Sequence, residues 1–213
     1  MSDYEEPRYY KSSKDWWRYD PKHSVVGDVP IGSRVLDVGC AYGDLGAALK
    51  TRDCIVEGVE NYPLAVAEAS ERLDTLYVVD LNDVRQLDAV PAGFDVITAM
   101  DVLEHTTDPW AVLAVLRGKL KIGGTCYVSV PNVANIKTRL GLMCGQFDYT
   151  DYGVLDRTHL RFFTRSTATS LMHGVFGNVE MLAVTPAAEK LAGLERVWPS
   201  MFALQFVMKS RNG

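Results

Sequence analysis

The sequence lacks the patterns that mark several common classes of protein. None of its four cysteines forms a C-x-x-C pair, which argues against a structural zinc site or a redox dithiol. The charged N-terminus has no apolar segment of the kind found in secretory signals. No apolar run approaches the roughly 20 residues that a membrane-spanning helix needs. These absences favour a cytoplasmic protein with reduced thiols and no membrane partner.

The chain also lacks the excess of positive charge that binding to nucleic acid requires. Its 213 residues carry a formal net charge of -5, without the basic footprint that contacts phosphate backbones. A nucleic-acid partner is therefore not expected. The 47% of hydrophobic and 23% of charged residues are typical of a globular chain, and the length favours one domain.

Residues 1–30 differ from the rest of the chain in their aromatic content. Disordered tails are usually poor in aromatic residues. We therefore predict an N-terminal arm that packs on the body or closes over a ligand as a lid. Its aromatic residues are Tyr4, Tyr9, Tyr10, Trp16, Trp17 and Tyr19. The remaining residues, 31–213, are predicted to form a single domain.

From residue 33 the chain alternates short apolar runs with segments of helical periodicity. Such alternation indicates βαβ units and a doubly wound, mostly parallel α/β sheet. An irregular insert is predicted at about 131–164, followed by a helix near 166–173. Helices are predicted at 45–50, 64–73, 84–87 and 110–120. Strands are predicted at 34–38, 55–59, 76–79, 94–99, 125–130, 179–184 and 202–208.

The first strand runs into a glycine-rich turn, "RVLDVGCAYGDLG", that opens a helix. This arrangement brings a ligand close to the backbone at the helix N-terminus. The turn does not end in Gly-Lys-Ser/Thr as a P-loop would, and it departs twice from G-x-G-x-x-G. It instead resembles the first motif of the class I S-adenosylmethionine-dependent methyltransferases. The matching positions are Asp37, Gly39, Cys40, Ala41 and Gly43, with Ala41 where the family usually has glycine.

Further positions match the same family in order along the chain. Glu60 ends the second strand, where the resemblance implies an acid that binds both ribose hydroxyls. Asp80 ends the third strand, where a carboxylate would meet the adenine amine beside Leu81. The resemblance implies a seven-stranded Rossmann-like methyltransferase fold with the last strand antiparallel. It also implies S-adenosylmethionine as cofactor and S-adenosylhomocysteine as product. The remaining cofactor-binding candidates are Asn61, Met100 and Asp101.

Two histidines are candidate catalytic residues. His105 follows the fourth strand in "MDVLEHTTDPW", and His159 lies in the insert, so both are expected near the carboxyl ends of the strands. Methyl transfer to a hydroxyl benefits from a base that removes its proton, and histidine titrates in a suitable range. Either histidine is a candidate for that base.

The insert, read with "DVLEHTTDPW", looks like the stand-alone and glycosyltransferase-associated methyltransferases of glycan and secondary-metabolite pathways. It is more loosely similar to MetW-like proteins. Within "GVLDRTHLRFFTRS" we predict a lid that Phe162 and Phe163 anchor to the core. Arg157 and Arg161 would then face an anionic part of the substrate. Asn132, at the start of the insert, is a further candidate for substrate binding.

Four side chains of this region resemble a metal site. Asp101, Glu104, His105 and His159 match in order the two acids and two histidines of metal-dependent small-RNA 3′-end 2′-O-methyltransferases. Ubiquinone-pathway O-methyltransferases carry a similar acid-x-x-Glu-His and depend on Mg²⁺. The resemblance implies a site for Mg²⁺ or Mn²⁺, although the first acid is Asp here rather than Glu.

These observations favour an enzyme that O-methylates a small hydroxylated acceptor such as a sugar, a nucleotide-linked sugar or a secondary metabolite. A small-molecule N-methyltransferase is the first alternative. The second is a MetW-like protein that binds a partner enzyme with weak or no catalysis. The identity of the acceptor, which could be part of a glycan, and the formation of a homodimer are left open by the sequence.

Overall fold

A computed structural model describes residues 22–186 and 193–213 of the chain. The aromatic residues of the predicted arm lie outside the described residues, so its role as a lid stays a prediction. The end of the predicted arm forms a helix, α1, that spans Lys22–Asp28. Asp28 accepts hydrogen bonds from Tyr127 at 2.8 Å and from Lys209 at 2.9 Å. These bonds hold α1 against the sheet.

All seven predicted strands are present and form one sheet. The prediction of the fifth strand missed its start, because Gly123 and Gly124 lie inside the strand and glycine usually marks a turn. The strands are β1 Arg34–Val38, β2 Ile55–Glu60, β3 Thr75–Val78, β4 Phe94–Met100, β5 Leu120–Pro131, β6 Glu180–Pro186 and β7 Ala203–Arg211.

The helices include several that the sequence did not predict. Besides α1, these are the helix inside the insert and the two short helices before β7. Among residues 22–186 and 193–213, 3₁₀ helices occur at Val84–Ala89 and Leu103–His105. The remaining α-helices are α2 Asp44–Lys50, α3 Pro63–Arg72, α4 Pro109–Lys119, α5 Ile136–Met143, α6 Arg165–Phe176, α7 Leu194–Val197 and α8 Pro199–Phe202.

The strand order is β3-β2-β1-β4-β5-β7-β6, and β7 is antiparallel to both of its neighbours. The predicted seven-stranded Rossmann-like methyltransferase fold is therefore confirmed. The chain leaves β1 towards β2 and returns on the other side of β1 as β4. Ligands of open α/β sheets bind outside the carboxyl ends of the strands at such a reversal. In the register of β1 and β4, Val38 pairs with Ala99. The loops that follow these two strands therefore start at the same edge of the sheet.

The sheet is covered on both faces, and each face has its own hydrophobic cluster. Successive side chains of a strand point to opposite faces. In β1, Val35 accordingly belongs to one cluster and Leu36 to the other, and both are fully buried. Helices α4 and α6 contribute to the cluster of Leu36, whereas α1, α2 and α3 contribute to that of Val35. Such double burial is why β1 and β4 are almost continuously apolar.

Local sequence signals explain where several of the helices begin. Asp108 precedes α4 and its side chain accepts from the backbone N–H of Ala111, while Pro109 occupies the first helical position. Asn135 caps α5 in the same way, accepting from Lys137 and Thr138. Among residues 22–186 and 193–213, no helix has the length and apolar character needed to cross a membrane.

Candidate active site

The loop after β1 is held in a shape that few residue types permit. Gly39 and Gly43 have φ angles of 65° and 80°, and Ala41, between them, has a φ of 48°. A Cβ atom at Gly39 would lie 2.5 Å from Cγ2 of Val102, which follows β4. The loop after β1 therefore packs directly against the loop after β4, at the reversal of strand order.

Glu60, at the end of β2, fixes this loop through its carboxylate. Its Oε2 accepts from the backbone N–H of Ala41 at 3.0 Å, and its Oε1 accepts from those of Asn61 and Tyr62 at 2.8 and 2.9 Å. A carboxylate has about four acceptor positions on its two oxygens. Glu60 is only 7% exposed, and it joins two loops at this edge of the sheet while about one acceptor position is left for a hydroxyl group. The edge formed by these loops is called the cofactor edge below.

Asp37 lies directly behind the glycine turn. It is 2% exposed, and its Oδ1 accepts from the hydroxyl of Thr98 on β4 at 2.6 Å. Cys40 is also buried, and burial raises the pKa of its thiol far above the usual range, before the nearby charges of Asp37 and Glu60 raise it further. Cys40 is therefore an uncharged, buried thiol that packs inside the loop, and it does not act as a nucleophile.

The other predicted cofactor positions lie along the same edge. Asp80 follows β3 and is half-buried, and its Oδ1 accepts from the backbone N–H of Asn82 at 2.9 Å. The Asn82 side chain in turn accepts from the N–H of Thr107 at 2.8 Å, which joins the loops after β3 and β4. Leu81 is half-buried, Asn61 is exposed, and Met100 is 4% exposed at the end of β4. A glycine turn followed by two acids on successive strands fits a nucleoside that is bound across this edge.

The loop after β4 and the insert meet at Glu104. Its backbone carbonyl accepts from the N–H groups of Leu160 and Arg161 at 2.8 and 3.0 Å. This pairing brings His159 against His105, with ring centroids 4.7 Å apart and planes at 73°. One carboxylate oxygen of Glu104 and one nitrogen of each imidazole lie within 4.8 Å of one another. The two histidines that the sequence offered as candidate bases therefore lie side by side, and their catalytic role stays a prediction.

The hydrogen-bond partners of the two imidazoles define which nitrogen carries hydrogen. Nδ1 of His159 lies 3.1 Å from the carbonyl oxygen of Val154, and Nδ1 of His105 lies 3.3 Å from that of Thr158. A carbonyl oxygen only accepts, so in both neutral rings this contact favours a hydrogen on Nδ1. Nε2 is then the nitrogen of each ring that keeps a lone pair for a proton or a metal ion.

Burial keeps both histidines neutral near neutral pH. It lowers the pKa of His105 below the usual value, and the neighbouring His159 lowers it further. Burial likewise lowers the pKa of His159, which is 8% exposed. The charges of Asp156 and Asp101 raise both pKa values but do not outweigh burial. Neutral imidazoles are the form that accepts a proton or binds a metal.

Asp101 lies near the two histidines but outside the close group that they form with Glu104. It has a φ of 59°, which is uncommon for a residue with a side chain, at the end of β4. Its Oδ1 accepts from the hydroxyl of Ser129 on β5 at 2.7 Å and from the side-chain amide of Gln205 on β7. Of the four acids and histidines that resemble a metal site, three come together and Asp101 lies outside the group.

The candidate substrate residues occupy three different settings. Asn132 is fully buried, and its amide donates to the carbonyls of Ala203 and Ser200, which ties the insert to the sheet. The Arg161 guanidinium donates to the carbonyl of Thr107. The Arg157 guanidinium lies 2.5 Å from the Asp151 carboxylate, and both side chains are more than half exposed. The three are not brought together, and their role towards a substrate stays a prediction.

The two phenylalanines of the predicted lid also differ. Phe163 is 3% exposed and belongs to the larger hydrophobic cluster, as an anchor should. Phe162 is half-buried and packs edge-on against Phe147 at 5.8 Å and near His159 at 6.2 Å between ring centroids. Phe162 thus forms an aromatic wall beside the histidines.

Sequence reasoning missed four polar residues of this site. Gln205 and Ser129 reach Asp101 from strands that are 104 and 28 positions away, and no local pattern marks such contacts. Asp156 and Thr158 lie next to the histidines, and the D-x-T spacing of a side-chain-capped turn was a usable signal for them.

Comparison with known proteins agrees with this fold. The family model described as "Methyltransferase domain" matches residues 16–175. Across 96% of both chains, the fold is similar to that of a SAM-dependent methyltransferase from Archaeoglobus fulgidus, with a TM-score of 0.68 and 15% identity. It is also similar to magnesium protoporphyrin IX methyltransferase from Synechocystis PCC 6803 with bound S-adenosylhomocysteine, with a TM-score of 0.62, 15% identity and coverage of 95% and 89%.

The fold and its cofactor edge are therefore those of a class I S-adenosylmethionine-dependent methyltransferase. The chain belongs to the methyltransferase domain family.

Two curated relatives are named ubiquinone biosynthesis O-methyltransferase. The relative from Pseudomonas aeruginosa (strain LESB58) is 34% identical over 135 residues, covering 55% of this chain and 58% of the relative. The relative from Idiomarina loihiensis is 35% identical over 150 residues, covering 59% and 58%. The chain thus spans 58% of the length of the relatives it matches.

Proposed function

We propose that this protein O-methylates a small hydroxylated molecule with S-adenosylmethionine as methyl donor. The observation that carries the proposal is the pairing of His105 and His159 beside the cofactor edge, both neutral and both with Nδ1 occupied. The relatives named O-methyltransferases support the same reaction type.

The chemistry needs little more than alignment and removal of a proton. The cofactor supplies an activated methyl group on a sulfonium, which is displaced in line by the acceptor oxygen. The loop of Gly39 to Gly43 and the Glu60 carboxylate fix one reactant, and the aromatic wall of Phe162 and Phe147 confines the other. Nε2 of His159 or His105 accepts the proton that the acceptor hydroxyl loses.

The same three side chains are suited to hold a divalent cation. Two imidazole nitrogens and one carboxylate oxygen that lie within 4.8 Å of one another can converge on one ion with small movements. His105 and His159 would bind through Nε2, with Nδ1–H donating to backbone carbonyls as metal-bound histidines usually do. Mn²⁺ suits this mixed donor set better than Mg²⁺, which prefers oxygen ligands. A bound cation would lower the pKa of a coordinated acceptor hydroxyl, in place of an imidazole base.

The acceptor is proposed to be a ring-shaped hydroxylated compound, either a sugar derivative or a phenol. The half-buried Phe162 and the exposed Phe147 and Tyr149 form an aromatic surface next to His159, and such surfaces stack on flat or apolar ring faces. The names of the curated relatives favour an acceptor that belongs to ubiquinone biosynthesis. The resemblance of the insert favours a glycoside or a secondary metabolite, and Arg157 or Arg161 would contact an anionic group on it.

The test is transfer of an isotope-labelled methyl group from S-adenosylmethionine to a panel of glycosides, nucleotide-linked sugars and polyprenyl phenols. Mass spectrometry identifies the labelled product. Of His105→Gln and His159→Gln, the variant that removes the base should lower kcat at least about 100-fold, the lower range for general-base catalysis. His173→Gln, on the exposed side of α6, is the matched control and should leave kcat unchanged.

Excess chelator distinguishes the mechanism with an imidazole base from the mechanism with a bound cation. Turnover that is unaffected by excess chelator supports an imidazole base, whereas turnover that Mn²⁺ restores supports the cation. Methyl transfer that survives loss of both imidazoles would refute both. If S-adenosylhomocysteine binds but no acceptor in the panel is methylated, a partner-binding role becomes the better proposal.

A further inference from the structure

Asp156 is a buried acidic residue that the proposed mechanism does not use. It is 3% exposed and lies three residues before His159. Its Oδ1 accepts from the backbone N–H of Thr158 at 2.8 Å and from the Thr158 hydroxyl at 2.6 Å. Its backbone carbonyl accepts from the N–H of His159 at 3.1 Å. One residue thus determines the turn that carries His159 and the orientation of the threonine beside it.

The Thr158 hydroxyl also contacts the other histidine. Its Oγ1 lies 3.1 Å from Nδ1 of His105. A hydroxyl has a single hydrogen and two lone pairs. Because the Asp156 oxygen already accepts a backbone N–H, it is an acceptor, and the short 2.6 Å contact requires the Thr158 hydrogen to point at it. The Thr158 oxygen can then only accept from His105.

Nδ1 of His105 therefore faces two acceptors, the hydroxyl and the carbonyl oxygen of Thr158. Neither offers it a hydrogen, so these two contacts favour the neutral ring with its hydrogen on Nδ1. That tautomer places the lone pair on Nε2, the nitrogen that the proposed function needs. Had the hydroxyl been free to rotate, it could have donated to Nδ1 and stabilised the opposite tautomer.

We propose that Asp156 and Thr158 are positioning residues that select the Nδ1–H tautomer of His105 through a carboxylate–hydroxyl–imidazole relay. The relay rests on the proposed function for its purpose, but the tautomer is a property of the folded protein and is measurable without turnover. The same Nδ1–H tautomer is required whether Nε2 accepts a proton or binds a metal ion.

The test compares Thr158→Val with Thr158→Ser. Valine has nearly the shape of threonine but no hydroxyl, whereas serine keeps the hydroxyl, and Thr158 is exposed, so neither substitution disturbs the core. Thr150→Val is the matched control, because its hydroxyl donates to the Tyr152 carbonyl in the same insert and does not reach His105.

The first readout is the ¹⁵N spectrum of the imidazoles in metal-free protein saturated with S-adenosylhomocysteine. The chain has four histidines, so His105→Gln assigns the signals. We expect Nδ1 of His105 to be protonated in the native protein, Thr158→Ser and Thr150→Val. In Thr158→Val we expect the two tautomers to mix, because the shorter of the two contacts that Thr158 makes with Nδ1 is lost.

The second readout is kcat with the acceptor found above. Thr158→Val should lower it about 10-fold, the lower end for loss of a group that orients a functional histidine, with S-adenosylhomocysteine affinity unchanged. Thr158→Ser, which keeps the hydroxyl, should have the kcat of the native protein. An unchanged tautomer in Thr158→Val, or a serine variant as impaired as the valine variant, overturns the relay. If the native protein methylates nothing while the tautomers behave as expected, the proposed function fails and the relay stands.

Discussion

Replacement of Gly39 by alanine tests how closely the two loops of the cofactor edge approach each other. Gly39 has a φ of 65°, and a residue with a Cβ in this left-handed region costs about 1–2 kcal/mol. The added Cβ would also lie 2.5 Å from Cγ2 of Val102, far inside contact distance. Overpacking of this kind typically costs about 1–3 kcal/mol. Gly39→Ala should therefore lower the free energy of unfolding by about 2–5 kcal/mol.

Gly177 provides the matched control. It has a φ of 75° at the C-terminal end of α6, and no atom lies within 4 Å of its added Cβ. Gly177→Ala should therefore show the backbone cost alone, about 1–2 kcal/mol. The difference between the two variants measures the contact with Val102, provided that both unfold in one transition in urea.

A double-mutant cycle identifies the atoms involved. Val102→Ala removes the methyl groups that the new Cβ meets, so Gly39→Ala should cost about 1–3 kcal/mol less in that background. S-adenosylhomocysteine binding, measured by calorimetry, should weaken in Gly39→Ala and partly recover in the double variant. Equal costs for Gly39→Ala and Gly177→Ala, or no coupling with Val102→Ala, would refute the close approach.

Three further changes test other parts of the site. Glu60→Gln replaces one acceptor oxygen by an amide nitrogen that faces a backbone N–H. The free energy of unfolding in urea should therefore fall by about 1–3 kcal/mol. Calorimetry should show a weaker affinity for S-adenosylhomocysteine. Gln205→Leu removes a donor to Asp101 and should lower stability by about 1–3 kcal/mol in the same assay, and an unchanged midpoint would contradict this. Burial lowers the pKa of His105 and His159 in the folded protein, so below pH about 6.5 the unfolded chain binds more protons. The free energy of unfolding of the metal-free protein should therefore fall as the pH drops below about 6.5, and this dependence should shrink in a His105→Gln/His159→Gln variant.

The sequence predicted the elements whose signals are local. The central strands are nearly continuous apolar runs, and the turn of Gly39 and Gly43 follows the first of them, so β1 to β4 and the cofactor edge were recognisable. The two histidines were expected at one edge because strand order places the loop after β4 beside the insert. Each of these inferences needs only periodicity and the topology of a parallel sheet.

Other features depend on contacts between distant parts of the chain. Helix α5 was missed because its apolar residues are largely exposed, with Leu140, Leu142 and Met143 each more than half accessible, so no buried face imposes a helical period. Asp101 was expected beside the histidines, and its carboxylate instead turns to Ser129 and Gln205. A side chain's direction at a strand end is decided by neighbours that the local sequence does not reveal.

The insertion of β7 between β5 and β6 has a consequence for the order of assembly. Strand β7 is distant in sequence from the loops that it contacts: its Gln205 donates to Asp101 at the centre of the edge, and its Leu204 carbonyl accepts from Asn132 at the root of the insert. During synthesis from the N-terminus, β6 has no neighbour in the sheet until β7 emerges and enters the space beside β5. A chain truncated before residue 203 would therefore keep its candidate nucleoside-binding half while losing the strand that braces the proposed acceptor side.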